Sequence, residues 1–135
     1  MKLPVSTDQL PLETEPWDDT LTYRGIIKAF NIAVKTDKNG NNYGSVEIEV
    51  TEPEERRGRK VPDNYVPIPP ELTPSMSDTM RKMALELGTR LGRMAASCKI
   101  VAEDTDDLIG GEVQFTVKNE EYQGRLLPKV AEYLI

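Results

Sequence analysis

The fold is decided by residues 38–50, which read KNGNNYGSVEIEV. Asn39-Gly40 is a strong signal for a hairpin turn, because both residues tolerate the positive φ angles that tight turns require. After the turn, polar and apolar residues alternate from residue 44 to residue 50, which is the period of a strand with one buried face. The predicted buried set is Val46, Ile48 and Val50, and the predicted solvent-facing set is Ser45, Glu47 and Glu49.

Four further strands are predicted around this one. Residues 21–34 are rich in β-forming side chains and predict a long first strand, in which Gly25 marks a bulge or a sharp bend. Residues 52–64 predict a charged loop, and residues 65–68 predict a short third strand that Pro67 restricts to an edge or irregular position. The fourth strand is predicted from the alternation of Val113, Phe115 and Val117, and the fifth covers residues 125–135.

One helix is predicted between the third and fourth strands. Pro74 belongs in its first turn, and Thr73 or Ser75 is the predicted cap. Apolar side chains recur at intervals of three and four, which places them on one continuous stripe. We expect the methionines of this stripe in the core and its cysteine as a buried thiol; the stripe contains Met76, Met80, Met83, Ala84, Leu87, Leu91, Met94, Ala95 and Cys98.

The order of these elements predicts a mainly β protein. Three strands, a helix and two strands are the plan of a five-stranded OB-fold barrel with one helix between strands 3 and 4. This domain is assigned to residues 20–135, and residues 1–19 are predicted to form an extended arm anchored by Trp17. The arm carries one lysine and five carboxylates, a net charge of −4, so the remainder carries −2 of the total of −6.

Several kinds of chemistry are disfavoured by the composition. The chain contains no histidine and one cysteine, which argues against the usual catalytic triads, most zinc sites and an intrachain disulfide. It has no glycine-rich phosphate loop. Asp104, Asp106 and Asp107 lack the twelve-residue ligand pattern of a calcium loop. We therefore expect no enzymatic activity, no cofactor and no metal site.

The sequence also predicts where the protein resides. No apolar run approaches the length needed to span a bilayer, and residues 1–10 have no apolar signal-peptide region. The low cysteine content suits a reducing compartment. These features predict a cytoplasmic protein, in a bacterium or a phage-infected cell, that does not contact a membrane.

Cations and tyrosines occur together in the segments that flank the ligand face of an OB-fold. That face lies across strands 2 and 3, between the loops joining strands 1 and 2 and strands 4 and 5. Single-strand binding requires cations for phosphates and flat rings on which bases stack. The sequence therefore predicts sequence-tolerant single-stranded DNA binding through Lys35, Lys38 and Tyr43, through Arg56, Arg57, Arg59 and Lys60, through Tyr65, and through Lys118, Tyr122 and Arg125.

These residues also have plainer interpretations. The tyrosines suit packing at a barrel rim, and residues 56–60, beside Glu54 and Glu55, suit a solvated loop. Glu47 and Glu49 are expected to face outward on strand 2, where carboxylates would repel phosphates. Together with the net charge of −6, they favour the alternative function, a protein-interaction or assembly module on an OB-like barrel.

Three stretches resemble phage-encoded single-stranded DNA-binding proteins. They are Tyr23-Arg24-Gly25-Ile26-Ile27, the hairpin Lys38-Asn39-Gly40-Asn41, and Asp107-Leu108-Ile109-Gly110-Gly111 followed by Val117-Lys118-Asn119-Glu120-Glu121-Tyr122-Gln123-Gly124-Arg125. The resemblance covers residues 20–135 and implies an OB barrel that coats single strands during DNA replication, recombination or repair. It implies single-stranded DNA and replication or recombination proteins as partners, and it is compatible with a homo-oligomer. By position, it assigns one side of the groove to Lys118, Tyr122 and Arg125, and the other to Lys35, Lys38 and Tyr43.

Overall fold

A computed structural model describes residues 1–7 and 16–135. These residues contain five strands and two α-helices, joined by loops. The sheet is antiparallel throughout, in the order β3-β2-β1-β4-β5. The prediction of a mainly β protein with five strands is therefore confirmed. The elements are β1 (Tyr23–Ile32), β2 (Tyr43–Glu52), β3 (Lys60–Pro67), α1 (Asp78–Leu87), α2 (Thr89–Cys98), β4 (Glu112–Tyr122) and β5 (Arg125–Leu134).

The central strand is β1, which pairs with β2 on one side and with β4 on the other. Gly25 lies where both ladders meet, opposite Val50 in β2 and Val113 in β4. A Cβ atom here would lie 2.6 Å from Ile48 Cγ2 and 2.7 Å from the Glu49 carbonyl oxygen, so a side chain would not fit. The register of the β1–β2 ladder shifts immediately before this glycine, in agreement with the predicted irregularity.

The buried face of the sheet is the one that the alternation predicts. Burying a valine, isoleucine or phenylalanine side chain contributes about 1.5–3 kcal/mol relative to leaving it exposed. A slip of one residue would expose the whole set, so the register is strongly determined. Val46, Ile48 and Val50 of β2, and Val113, Phe115 and Val117 of β4, are all at most 1% exposed.

The last residues of the predicted arm are packed on the sheet. Trp17 is buried in the core cluster, and its ring centroid lies 5.4 Å from that of Tyr23. The Trp17 backbone N–H donates to Asn119 Oδ1 at 2.9 Å, and Asn119 Nδ2 donates to the Trp17 carbonyl at 2.8 Å. This reciprocal pair attaches residue 17 to β4. Three acidic residues of the predicted arm lie outside the described residues: Asp8, Glu13 and Glu15.

The third strand is longer than predicted and begins inside the expected loop. The predicted strand, residues 65–68, matches only its end, because β3 starts at residue 60. Pro62, Asp63 and Asn64 are poor strand formers, which is why the pattern failed there. Because β3 is an edge strand, it tolerates the proline. The aspartate is tolerated because its carboxylate is hydrogen-bonded inside the fold.

The prediction of one helix is wrong, because Gly88 separates α1 from α2. Glycine has a low helix propensity, so an interruption of the helix there costs little. The cap of α1 is Ser77, whose Oγ accepts from the Met80 backbone N–H at 3.2 Å, and not the predicted Thr73 or Ser75. Neither helix has the length and apolarity needed to cross a membrane, and this holds for every helix in the described ranges.

The predicted methionine stripe is only partly buried. The helix that packs on the sheet is α2, which contacts β3, β4 and β5, whereas α1 mainly contacts α2, the next element in the chain. Met80 and Met83 are therefore exposed by 55% and 64%, contrary to the prediction of core residues, and Met94 is fully buried. Met76 is half-buried. Cys98 is partly buried, and this burial raises the pKa of its thiol.

A buried polar network connects α2 to both edge strands. The Asp63 carboxylate in β3 accepts hydrogen bonds from Arg90 Nε at 2.7 Å and from the Tyr133 hydroxyl at 2.8 Å. Arg90 also donates to the Val130 and Ala131 carbonyls in β5, at 2.9 and 3.1 Å. These bonds replace the water that the carboxylate loses on burial. Burial and the neighbouring carboxylate raise the pKa of Tyr133, so its hydroxyl stays protonated and donates.

Removing the cation of this network should destabilise the fold strongly. We expect Arg90→Ala to lower the free energy of unfolding by about 3–5 kcal/mol, because a buried carboxylate then lacks its partner. Tyr133→Phe removes one hydrogen bond and keeps the ring, so it should cost about 1 kcal/mol. Urea unfolding measures both losses. Lys82→Ala, on the exposed side of α1, is the control and should stay within about 0.5 kcal/mol of the unchanged protein. Equal midpoints for Arg90→Ala and this control would contradict the role of the network.

Candidate nucleic-acid interface

Two tyrosine rings lie side by side where β2 begins and β3 ends. Tyr43 is opposite Pro67 in the β2–β3 ladder, and the register shifts immediately after Gly44. The centroids of the Tyr43 and Tyr65 rings are 5.2 Å apart, and their planes are inclined by 46°. Tyr65 is 47% exposed and Tyr43 is half-buried. The pair therefore presents ring surface to solvent, as base stacking requires.

The loop between β1 and β2 is organised by Asp37. Its Oδ1 atom accepts from the backbone N–H groups of Asn39 and Asn41, at 2.8 and 2.9 Å. Its Oδ2 atom accepts from the Tyr65 hydroxyl at 2.8 Å, which ties the loop to the ring pair. Two of these hydrogen bonds hold the pKa of Asp37 below its ordinary value. The bond from Asn41 has the larger effect, and the bond from Tyr65 has the next largest. Gly40, with φ of +81°, occupies the turn that Asn39-Gly40 predicts.

A groove of about 300 Å³ lies between β3 and the β4–β5 hairpin. Asn64 and Tyr65 form its β3 wall, and Lys118 and Lys129, which are paired in the β4–β5 ladder, line the other wall. Both ammonium groups contact Glu120, Lys118 at 3.4 Å and Lys129 at 2.6 Å. The hydrogen bond from Lys129 is the main reason why the pKa of Glu120 is lowered. Two cations share one carboxylate, so this wall keeps a positive charge.

The same face of the hairpin extends the positive wall. The turn consists of Gln123 and Gly124, whose φ angles of 50° and 77° fit a two-residue hairpin turn. Tyr122 and Arg125 are paired across that turn, and both are exposed. Side chains two residues apart on a strand share a face. The groove face of the hairpin therefore carries Lys118, Tyr122, Arg125 and Lys129.

The loop between β1 and β2 adds further cations. Lys35 and Lys38 are exposed there, and neither forms an ion pair with the residues that the structure describes. The charge of Lys38 also contributes to the lowered pKa of Asp37. Tyr65 bonds to Asp37 of this loop and lines the groove with Lys118. This one ring thus connects both sets of predicted residues.

The basic segment between β2 and β3 is placed elsewhere. It follows the last residue of β2, whereas the tyrosine pair lies at the first, and ten residues span about 30 Å of strand. The Arg56 guanidinium lies over the Trp17 ring, 4.7 Å from its centroid. Arg57 pairs with Glu54 at 3.5 Å. Arg59 is exposed and forms no ion pair within the described ranges. The groove therefore does not include this segment.

The outward carboxylates of β2 are neutralised by neighbouring strands. Glu47 pairs with Lys60 of β3 at 3.1 Å, and Glu49 pairs with Lys28 of β1 at 3.6 Å. The alternation predicts the outward orientation of both glutamates correctly, but it does not predict these partners. Lys60 is a predicted site residue, and its ammonium group is paired with Glu47. The repulsion expected from the two glutamates is correspondingly weaker.

Five polar or charged residues that line the groove were not predicted as site residues: Asp63, Asn64, Arg90, Glu120 and Lys129. Lys129 can be found from the sequence, because counting back from a two-residue turn after Tyr122 places residue 129 opposite Lys118. Asn64 belongs to a predicted loop, and Arg90 lies beside the apolar stripe of a helix. No local pattern indicated that these two would meet the predicted residues.

Comparison with known proteins adds no identification. No protein-family model matches the chain, and no curated protein matches it either. The assignment of this site consequently depends on its own geometry and chemistry.

The bond between Asp37 and Tyr65 should be visible in an acid titration. Hydrogen bonds to its ionised form place the Asp37 pKa below the ordinary value of about 3.9. The stabilisation from these bonds is present above that ordinary value and is lost as the pH falls through the lowered pKa. We expect Tyr65→Phe to raise the pH midpoint at which Asp37 titrates. Tyr43→Phe is the matched control and should leave this midpoint unchanged. NMR titration of the Asp37 carboxyl carbon measures both, and equal midpoints in the two variants would refute the bond.

Proposed function

We propose that the protein binds single-stranded DNA, with little dependence on sequence, along the groove between β3 and the β4–β5 hairpin. The observation that carries this proposal is the position of Tyr65. Its ring packs beside Tyr43, its hydroxyl bonds to the loop between β1 and β2, and it faces Lys118 across the groove. Stacking surface and cations are thereby combined in one place, as single-strand binding requires.

The two kinds of contact have separate tasks in this proposal. Bases stack on the exposed rings of Tyr65 and Tyr122, and every base has a π-face, so stacking tolerates any sequence. Phosphates bind Lys118, Lys129 and Arg125, and counterions are released in the process. Because Glu120 is shared between two lysines, a phosphate exchanges one ion pair for another when it enters.

The net charge of −6 is compatible with this function. Binding depends on the local field of the groove, where Arg90, Lys118 and Lys129 outnumber the carboxylates of Asp63 and Glu120. Carboxylates elsewhere on the molecule lie farther from DNA in the groove, and salt screens their repulsion over such distances.

Closure of the sheet into an OB-type barrel belongs to the same proposal. Its support is the hydrogen bond at 2.8 Å between the Tyr133 hydroxyl in β5 and Asp63 in β3, the two edge strands of the sheet. Coating of single strands in phage DNA replication, recombination or repair, with proteins of those processes as partners, is the role that the resemblance of residues 20–135 suggests.

A protein-interaction module remains the second candidate. The observation in its favour is the exposed apolar surface of α1, where Met80 and Met83, one turn apart, are each more than half exposed. Protein-interaction surfaces typically expose apolar patches of this kind. The two functions differ in their response to DNA, which the following measurements test directly.

Removing the groove cations should reduce the salt dependence of binding. We expect log K for a labelled oligo-dT to fall linearly with log salt, with a slope of about −0.7 per phosphate contact. Lys118→Ala combined with Lys129→Ala should therefore make the slope shallower by about 1.4. Fluorescence anisotropy at several salt concentrations gives the slope. Arg57→Ala combined with Arg59→Ala removes the same charge at the far end of β2 and should leave the slope unchanged. If both double variants change it equally, DNA does not bind in the groove.

Removing a ring should weaken binding without changing that slope. We expect Tyr65→Ala, and separately Tyr122→Ala, to raise Kd by roughly 5- to 150-fold, the range for loss of one stacked base. Tyr65→Phe keeps the ring and loses only the bond to Asp37, so its Kd should rise much less than that of Tyr65→Ala. The melting temperature of each variant separates lost stacking from lost folding. If both alanine variants melt normally and bind DNA with unchanged affinity, the stacking proposal fails, and the interaction module becomes the better candidate.

A further inference from the structure

A second groove lies on the helical side of the molecule. Its volume is about 390 Å³, and it separates α2 from the segment 102–108 that precedes β4. It has no lining residue in common with the groove proposed for DNA. Its apolar walls are formed by Ile68, Pro69, Leu91, Ala95, Ala102 and Leu108.

Gly92 leaves this groove open along α2. A Cβ atom at Gly92 would meet no atom of the described residues within 4 Å, so none of them fills the space beside the helix there. At Gly88, by contrast, a Cβ atom would lie 3.1 Å from Pro69. The groove thus has room for an apolar side chain next to Gly92.

The charge at the rim of the groove is negative. Glu103 and Asp104 line it, and no cationic side chain is among its lining residues. Asp104 Oδ1 accepts a hydrogen bond from the backbone N–H of Asp106 at 2.8 Å. The Glu103 side chain is exposed and makes no ion pair with any residue in the described ranges. A ligand that combines apolar side chains with a cation would complement both the walls and the rim.

Residues 1–5 of this chain have that combination. They read MKLPV, so apolar side chains alternate with Lys2 and Pro4. Met1, Leu3 and Val5 are exposed by 109%, 53% and 44%, which leaves their apolar surface in water. Proline fixes its own φ angle, so the segment has less conformational freedom to lose on binding.

We propose that residues 1–5 of one copy bind the groove beside α2 of a second copy. The apolar side chains lie against Leu91, Ala95 and Leu108, and the ammonium group of Lys2 pairs with Glu103. Each copy has both the segment and the groove, so two copies can exchange segments and bury two contacts in a closed, two-fold symmetric dimer. Each contact is small, so the dimer is weak and its population depends on concentration.

This inference does not depend on the DNA-binding proposal. Helix α2 contributes to both grooves, but they have no lining residue in common, so either proposal can fail without the other. If both hold, each dimer carries two DNA grooves, so one strand can bind both of them.

A charge exchange between two variants tests the proposal on the full chain. Sedimentation equilibrium across a wide concentration range should show a monomer–dimer equilibrium for the unchanged protein. Lys2→Glu alone, or Glu103→Lys alone, replaces attraction by repulsion at both contacts and should raise the dimer Kd about tenfold. In a mixture of the two variants, each contact again joins opposite charges. The mixture should therefore form heterodimers with nearly the original Kd.

Filling the groove provides an independent test. Gly92→Leu should abolish the dimer, because the new side chain occupies the space of the incoming one. Gly92→Ala adds one methyl group and raises helix propensity in the same way, so it serves as the control and should retain most of the dimer. A monomer at every concentration would overturn the proposal, and so would a dimer that none of these variants affects. Changes in melting temperature without any change in mass would also overturn it, because they would place residues 1–5 in the groove of their own chain.

Discussion

The salt bridge between Arg90 and Asp63 is the contact on which the arrangement of this protein depends. It joins α2 to β3, and the remaining donors of Arg90 bind β5 carbonyls, so one side chain holds a helix against both edges of the sheet. Arg93 adds a bond to the Tyr133 carbonyl at 3.0 Å. Carbonyls on an edge strand otherwise invite pairing with another chain, and α2 covers them. The five-stranded sheet is thereby bounded by a helix.

The same contact positions the candidate site. Asp63 precedes Asn64 and Tyr65, which form one wall of the DNA groove, and Arg90 lines the groove itself. Tyr65 is then held a second time, by its bond to Asp37. A ring restrained from both directions loses little freedom when a base stacks on it, and this preorganisation favours binding. The stability of the fold and the geometry of the groove are consequently linked.

Charge pairing explains how an acidic protein can carry a positive groove. Glutamates on the outer face of β2 are matched by lysines from both neighbouring strands, so they contribute little field. Around Glu120 the balance is reversed, because one carboxylate serves two lysines. The negative rim of the helical groove lies on a different element, beside α2. Surfaces of opposite sign are therefore separated, and each suits a different kind of partner.

The sequence alone determined the features that depend on local periodicity. Alternation with period two identified the buried faces of β2 and β4, Gly25 marked the irregularity in β1, and Asn39-Gly40 marked a turn. The outward orientation of Glu47 and Glu49 followed from the same pattern. These properties arise between residues close together in the chain, where steric rules and burial of one face suffice.

The tertiary structure decided everything that depends on distant residues. Asp63 is buried in β3 because of partners 27 and 70 residues away, so no local propensity could assign that strand. The exposure of Met80 follows from a helix break and from the packing of α2, not α1, on the sheet. The groove joins Tyr65 to Lys118, whereas residues 56–60 lie at the other end of β2. Composition predicted cations and rings, but only the three-dimensional path of the chain selects which of them meet, because that choice is made by long-range contacts.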